Sequence, residues 1–296
     1  MHEFGSRDSF FARLPQATAV VTGLEVELRA TDLERAERLR VIATRTSQLR
    51  HIDVEEATRR EIAILSIDPA DPLLQETTST AEEAFALLLA LLRNIPAAFD
   101  SVKAGRWERS RYGGVELRGK TLGIVGFGRL GKMVAGYAQA FGMHVVAYDP
   151  QRPAGELRAR SVEPATLEEL LRRADAVTIH CPYSPETVGL LGAEQLGLMK
   201  PSAVLVNTAR GEIVDEGALL RALAGRRIAG AAIDTLACER ADGSHLHGNP
   251  LVAYARENDG LIIVPHLGGA TAEATARTQR YISERLVEWL RVNGAA

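Results

Sequence analysis

Three side chains with complementary chemistry follow predicted strands in the second half of the chain. Arg210 lies in the turn Asn207-Thr-Ala-Arg210-Gly211, and its planar guanidinium suits a bidentate pair with a carboxylate. Glu239 and His266 follow two later strands, and a carboxylate beside an imidazole orients the ring and favours its protonated form. Together the three could bind an acid and transfer a proton near neutral pH. Taken singly, a surface arginine and a structural histidine are the alternatives.

A glycine-rich turn between a predicted strand and a predicted helix indicates a dinucleotide site. Gly126 permits the tight turn, Gly128 lets the backbone approach a pyrophosphate, and Gly131 lets the helix lie close to the strand. Asp149 ends the next strand, 18 residues after Gly131, where an acid binds the adenosine ribose. Such a turn alone can be purely structural, but here strand, helix and acid are in register. A carboxylate repels a 2′-phosphate, so NAD is favoured over NADP. Nearby Arg152 is a cation that could instead pair with such a phosphate.

Strands and helices alternate from Lys120 to Val264 as in a doubly wound parallel sheet. The predicted strands are Thr121–Val125, His144–Tyr148, Ala176–His180, Ala203–Asn207, Ile228–Asp234 and Leu261–Val264. Ligands of such sheets bind beyond the carboxyl ends of the strands. This places Arg210, Glu239 and His266 at the edge where the dinucleotide is expected.

The first third of the sequence predicts a smaller parallel α/β unit. Its strands are predicted at Ala17–Val21, Arg40–Ala43 and Ala63–Ile67, with helices at Asp32–Leu39 and Val54–Arg60. Residues 68–72 predict a loop, and Thr80-Ala-Glu-Glu83 resembles a capping box that starts a long apolar helix ending before Pro96. We expect that helix at a domain or subunit junction.

Composition narrows the class of protein. The 296 residues are enough for two domains, and the net charge of −3 gives no electrostatic footprint for nucleic acid. The longest apolar run, Ala84–Leu92, is too short to span a bilayer, and no secretory segment is apparent. The two cysteines, Cys181 and Cys238, suggest a reducing, cytoplasmic compartment. Residues 1–6 carry no pattern and are left out of the fold prediction.

From about Val41 onwards the sequence resembles the D-isomer-specific 2-hydroxyacid dehydrogenases, a family that includes phosphoglycerate dehydrogenase and the glyoxylate and hydroxypyruvate reductases. The most specific segments are Glu116–Gly131, Val206–Asp215, Asp234 with Glu239 five residues on, and Pro265–Thr271. The resemblance implies an α/β fold with a doubly wound Rossmann domain at residues 95–271. It also implies a smaller flavodoxin-like substrate domain at 1–94 and 272–296, a hinged cleft and a homodimer.

The resemblance also implies roles for matching positions. Arg210 would hold the substrate carboxylate and polarise its carbonyl, and His266 would be the general acid in reduction, with Glu239 as its partner. The positions expected to bind the cofactor, NAD, are Gly126, Gly128, Arg129, Leu130, Gly131, Asp149, Pro182, Thr187, Thr208, Ala209, Asp234 and Gly268. Ser47 and Gln48, with Arg210, are expected to contact substrate.

Three features depart from the family pattern. Few residues precede Val41, so the smaller domain looks shortened at its N-terminus. Thr46-Ser47-Gln48 replaces the usual Gly-x-Gly loop, and bulkier residues there leave the substrate open. Arg240 follows Glu239 where a proline is usual, and His245 and His247 lie in the long segment after it. With Cys238 these histidines could suggest a metal site, but their spacing fits no common zinc pattern, and no metal is predicted.

The sequence therefore predicts an NAD-dependent enzyme that interconverts a small 2-oxo acid and its D-2-hydroxy acid by hydride transfer. One alternative is a phosphorylated hydroxy acid as substrate, with Arg45 as a phosphate contact. The other is a non-catalytic NAD(H)-sensing protein of the same fold, because a fold does not dictate activity. No nucleic-acid or membrane partner is predicted.

Overall fold

The computed structural model describes residues 7–68, 70–237 and 239–294. The chain divides into two compact units. The smaller unit lies within residues 1–77, 240–244 and 271–296, and the larger within 78–239 and 245–270. The boundary predicted between residues 94 and 95 differs from this division, because residues 78–94 fold with the larger unit.

The elements alternate between strand and helix along most of the chain. The strands are β1 (Ala19–Thr22), β2 (Val41–Thr44), β3 (Ala63–Leu65), β4 (Thr121–Val125), β5 (His144–Tyr148), β6 (Glu163–Pro164), β7 (Ala176–Ile179), β8 (Val204–Asn207), β9 (Gly230–Ile233) and β10 (Leu261–Ile263). The helices are α1 (Arg7–Arg13), α2 (Ala30–Arg35), α3 (Val54–Arg59), α4 (Pro72–Gln75), α5 (Ser79–Leu92), α6 (Ile95–Lys103), α7 (Arg129–Ala140), α8 (Ala154–Arg158), α9 (Leu167–Arg173), α10 (Ala193–Leu198), α11 (Glu216–Ala224), α12 (Pro250–Ala255) and α13 (Ala272–Val292).

The larger unit is built on a seven-stranded parallel sheet in the order β10-β9-β8-β7-β4-β5-β6. The chain runs outward from β4 to β6 and then returns to the other side of β4 with β7. The point where the order reverses, between β4 and β7, opens a crevice at the carboxyl ends of these two strands, which is where ligands bind in such folds. The doubly wound α/β fold predicted from the sequence is confirmed.

Both faces of this sheet are covered, which explains why its strands are apolar throughout. On one face Leu122 and Ile124 of β4 pack with Phe85 of α5 and Val134 of α7. On the other face the side chains of β7, β8 and β9 pack with leucines of α9, α10 and α11. The two layers hold the loops at the carboxyl edge on a rigid base.

The smaller unit has a three-stranded parallel sheet in the order β1-β2-β3. Ile42 of β2 faces a core completed by α1, α2 and α3. Val41 and Ala43 face the opposite side, where Ile282 and Leu286 of α13 cover them. The C-terminal helix therefore supplies the second layer that such a sheet requires.

Several local predictions need correction. The capping box predicted at residues 80–83 is wrong: Thr78 is the N-cap residue of α5, and the Thr80 hydroxyl inside the helix donates to the Gly268 carbonyl. Helix α4 occupies part of the predicted loop, with Pro72 in its first turn, where a missing N–H costs nothing. Strand β6 was not predicted, because it is a two-residue edge strand containing a proline. No single helix in the described chain is long and apolar enough to cross a membrane, although Pro72–Leu92 and Ile95–Lys103 pass that test as a bent pair.

Candidate active site

The glycine turn after β4 has the shape that a bound phosphate requires. Gly126 has a φ of 93°, and a Cβ there would lie 2.4 Å from the backbone nitrogen of Cys181. A Cβ at Gly131 would lie 2.2 Å from the Gly126 carbonyl oxygen, so this glycine allows α7 to approach β4. A Cβ at Gly128 would meet no described atom within 4 Å, which leaves open space beside the first turn of α7. Arg129 and Leu130 begin that turn.

Asp149 lies beside this turn, as the sequence predicts. One carboxylate oxygen accepts the Phe127 N–H at 2.8 Å and the other accepts the Gln151 N–H at 2.9 Å. Each oxygen has a further lone pair, so the group can still accept hydrogen bonds from ribose hydroxyls. The carboxylate therefore orders the glycine turn and can also bind the ribose of a nucleotide there.

The segment after β7 is closed by Thr187. Its hydroxyl donates to the Pro182 carbonyl at 2.7 Å and accepts the Ser184 N–H at 2.8 Å. Both residues were predicted as cofactor contacts, and the geometry shows that Thr187 fixes the loop in which Pro182 lies.

The turn after β8 is held from inside by Asn207, whose side chain is fully buried. Its amide group donates to the Arg210 carbonyl at 2.9 Å, and its amide oxygen accepts the Ala209 N–H at 3.0 Å. One N–H of the Arg210 guanidinium donates to the Ala209 carbonyl at 2.6 Å. The buried hydroxyl of Thr208 has no hydrogen-bond partner among the described residues, and so offers a polar contact for a ligand at this edge.

Asp234, directly after β9, organises the loop that carries His266. Its carboxylate accepts the N–H groups of Leu267 and Gly268 at 2.5 and 3.0 Å, and its carbonyl accepts the His266 N–H at 2.9 Å. His266 itself has a φ of 54°, a left-handed conformation that costs a non-glycine residue on the order of 1 kcal/mol or more. Burial raises the pKa of Asp234, while the two backbone N–H groups oppose that rise.

The structure brings Glu239 and His266 together. Nδ1 of the imidazole lies 2.7 Å from Oε2 of the carboxylate, and the two side chains are 25% and 30% exposed. A carboxylate can only accept, so the proton lies on Nδ1 and Nε2 is left for a substrate. The other oxygen, Oε1, accepts the Leu236 N–H at 2.9 Å, and this second contact fixes the orientation of the carboxylate. This pair is equipped to give or take a proton.

The predicted substrate residues Ser47 and Gln48 lie in the smaller unit, in the loop after β2. The Thr46 hydroxyl donates to the Gln48 carbonyl at 2.7 Å and lies 3.1 Å from the Thr44 hydroxyl. Nε2 of His51 lies 2.9 Å from the same Thr44 hydroxyl, and burial lowers the pKa of His51. Hydrogen bonds within residues 44–51 therefore hold this loop in place.

The possible phosphate contact and the possible metal site considered in the sequence can also be located. Arg45 pairs with Glu25 at 2.5 Å, so its charge is already matched by a neighbour in the smaller unit. Cys238 lies outside the described residues, and those that are described contain no group of three or more potential metal ligands. His245 lies in a short 3-10 turn, Ser244–Leu246, and His247 directly follows it.

Two residues that hold the site together were not predicted from the sequence. Asn207 was included in an apolar strand, although a polar residue at the end of a buried strand is itself a signal. Glu216, the first residue of α11, accepts the Ala237 N–H at 2.6 Å. Its only sequence signal was its place directly after Asp215, the side chain of which caps the helix.

The fold and site define a class: an α/β protein with a dinucleotide turn and an arginine, a glutamate and a histidine at the carboxyl edge of one sheet. Residues 85–268 match the family model described as D-isomer specific 2-hydroxyacid dehydrogenase, NAD binding domain. The chain belongs to this family. The resemblance seen in the sequence is confirmed.

Individual relatives agree with the family match. The chain is 38% identical over 278 residues to the D-3-phosphoglycerate dehydrogenase of Mycobacterium tuberculosis, covering 94% of this chain and 50% of that protein. It is 36% identical over 287 residues to the enzyme of that name from Methanocaldococcus jannaschii, covering 97% and 52%. The chain thus spans about half the length of these curated relatives. The D-lactate dehydrogenase of Aquifex aeolicus, solved with NAD and lactic acid, is similar at 30% identity and a TM-score of 0.77, covering 96% and 85%.

The residues present fit NAD. The open space at Gly128, the close packing at Gly131 and the unpaired Thr208 hydroxyl are the features that a pyrophosphate and a polar ring substituent require. The Asp149 carboxylate at the end of β5 suits an unphosphorylated ribose.

Proposed function

We propose that this protein is an NAD-dependent dehydrogenase that interconverts a small 2-oxo acid and its D-2-hydroxy acid. The observation that carries the proposal is the 2.7 Å contact between His266 and Glu239, in the same unit as the dinucleotide turn. Family membership and the presence of Arg210 at the same sheet edge support it. The cytoplasmic location predicted from the cysteine content stays a prediction.

NAD, when bound, supplies the hydride chemistry. Arg210 binds the substrate carboxylate with its planar fork and stabilises negative charge as it builds on the carbonyl oxygen. In reduction His266 donates a proton to that oxygen, and in oxidation it removes the proton from the hydroxyl group. Glu239 holds the proton on Nδ1 and so keeps Nε2 in the reactive role.

The particular acid is the finer question. The names of the relatives favour a second candidate, D-3-phosphoglycerate, whose phosphate would need a cation. Arg45, the phosphate contact predicted from the sequence, is already paired with Glu25. We therefore place small unphosphorylated 2-oxo acids such as glyoxylate, pyruvate and hydroxypyruvate first.

The test is a substrate panel. Purified protein is mixed with NADH and each 2-oxo acid, or with NAD and D-3-phosphoglycerate, and absorbance at the NADH band is followed. His266→Ala should lose most of the turnover while its NADH affinity, measured by fluorescence, changes little. Turnover of D-3-phosphoglycerate that depends on Arg45 would select the second candidate. NADH binding without turnover of any acid would indicate a sensing protein and refute the proposal.

We also propose that the protein is a homodimer. Helix α6 exposes Ile95, Phe99 and Val102 at helical spacing, each more than half exposed, and Trp107 beyond it is 86% exposed. A second copy would cover this apolar stripe. Light scattering should give twice the chain mass, and Phe99→Asp should give monomers. Val292→Asp, at an even more exposed apolar site on α13, is the control and should leave the mass unchanged.

A further inference from the structure

Two turns of the larger unit are packed against each other at backbone level. A Cβ at Gly211, the residue after Arg210, would lie 2.1 Å from the Ala237 nitrogen and 2.1 Å from the Leu236 carbonyl carbon. Gly211 is buried, so no side chain could stand between the two segments. The turn that presents Arg210 therefore rests directly on the segment that leads to Glu239.

The same segment is held by two carboxylates through adjacent backbone amides. Leu236 N–H donates to Glu239 at 2.9 Å, and Ala237 N–H donates to Glu216 at 2.6 Å. Glu216 begins α11, whose N-cap residue Asp215 accepts the Ala218 N–H at 2.8 Å. A rigid helix end thus anchors the backbone from which Glu239 reaches His266.

We propose that Glu216 is a positioning residue that orients Glu239 towards His266. By holding the Leu236-Ala237 backbone, it also keeps that segment packed against the turn that carries Arg210. It touches no reacting atom, so its action passes through the Ala237 N–H. This inference rests on the proposed function, since it assigns Glu216 to the same proton-transfer pair.

The surroundings of Glu216 disfavour its charged form. Burial raises the pKa of Glu216, and the charges of Glu212 and Glu239 raise it further, whereas the Ala237 N–H and His245 oppose the rise. The hydrogen bond, rather than the charge, is therefore the feature to test.

Two substitutions separate the hydrogen bond from the charge. Glu216→Gln keeps an oxygen that can accept the Ala237 N–H, while Glu216→Ala removes it. We expect kcat for the preferred 2-oxo acid to fall about 10- to 100-fold in Glu216→Ala, with KM and NADH affinity within about twofold. Glu216→Gln should restore kcat to within about threefold of the wild type. Glu194→Ala, which removes an exposed first-turn glutamate from α10, controls for the loss of charge at a helix N-terminus and should change nothing.

A second measurement needs no turnover. In NMR spectra of the protein without ligand, Glu216→Ala should speed exchange of the Ala237 amide and broaden the downfield Nδ1–H signal of His266, and Glu216→Gln should preserve both. Wild-type kcat in Glu216→Ala, or equal losses in both variants, would overturn the inference while leaving the dehydrogenase proposal intact. Should the wild-type protein reduce no acid, the function fails, and unchanged NMR signals in Glu216→Ala would separately overturn the positioning role.

Discussion

His180 should make the larger unit less stable as the pH falls below neutrality. It directly follows β7, its ring is buried, and Nε2 lies 2.9 Å from the Thr178 hydroxyl. Nδ1 is buried without a hydrogen-bond partner among the described residues. Burial lowers the pKa of His180 to about 4 from its ordinary value of 6.5. The folded protein therefore resists a proton that the unfolded chain takes up readily.

The sign and size follow from proton linkage. Between pH 6.5 and about 4 the unfolded state binds more protons at this site, so the free energy of unfolding falls as the pH falls. A shift of this size corresponds to roughly 3 kcal/mol when complete, and to about 2 kcal/mol on going from pH 7 to pH 5. Below about pH 4 both states are protonated and the effect levels off.

Urea unfolding followed by circular dichroism at pH 7 and pH 5 measures this effect. The wild type should lose about 2 kcal/mol more than His180→Gln over that interval, whatever the stability of the variant at pH 7. His144→Gln, at an exposed site on β5, is the matched control. Equal losses in wild type and His180→Gln would refute the reasoning, because the buried ring would then not be what resists the proton.

Three further predictions concern the site. Arg210→Lys should lower kcat/KM for the 2-oxo acid about 100-fold with unchanged NADH affinity, because a point charge replaces the planar fork. An unchanged kcat/KM would show that Arg210 does not bind the substrate carboxylate. Asp149→Ser should narrow the preference for NADH over NADPH at least tenfold in fluorescence titrations, because the repelling charge is gone, and an unaltered ratio would contradict the ribose assignment. Gly131→Ala should weaken NADH binding and destabilise the protein by more than about 1 kcal/mol, because its Cβ would overlap the Gly126 carbonyl; Gly136→Ala, in open space on the same helix, should do neither.

Much of the larger unit could be predicted because its physics is local. Buried parallel strands need continuous apolar runs, and a phosphate turn needs glycines at fixed spacing, so Thr121–Val125 and Gly126–Gly131 were predicted where the structure has them. Local patterns failed where tertiary contact decides. Thr80 lies within α5 and donates to the Gly268 carbonyl, far along the chain, so the cap lies two residues earlier than the pattern suggested.

By itself the sequence determined which chemical groups exist and that they follow strands of a parallel sheet, since the alternation of elements follows from hydrophobic patterning. It named Arg210, Glu239 and His266 because each follows a strand. Only the tertiary structure decided that Glu239 contacts Nδ1 of His266, and that Glu216 accepts the N–H of Ala237, two residues before Glu239. Those contacts join segments tens of residues apart, and their geometry depends on backbone amides, which carry no residue-specific signal in the sequence.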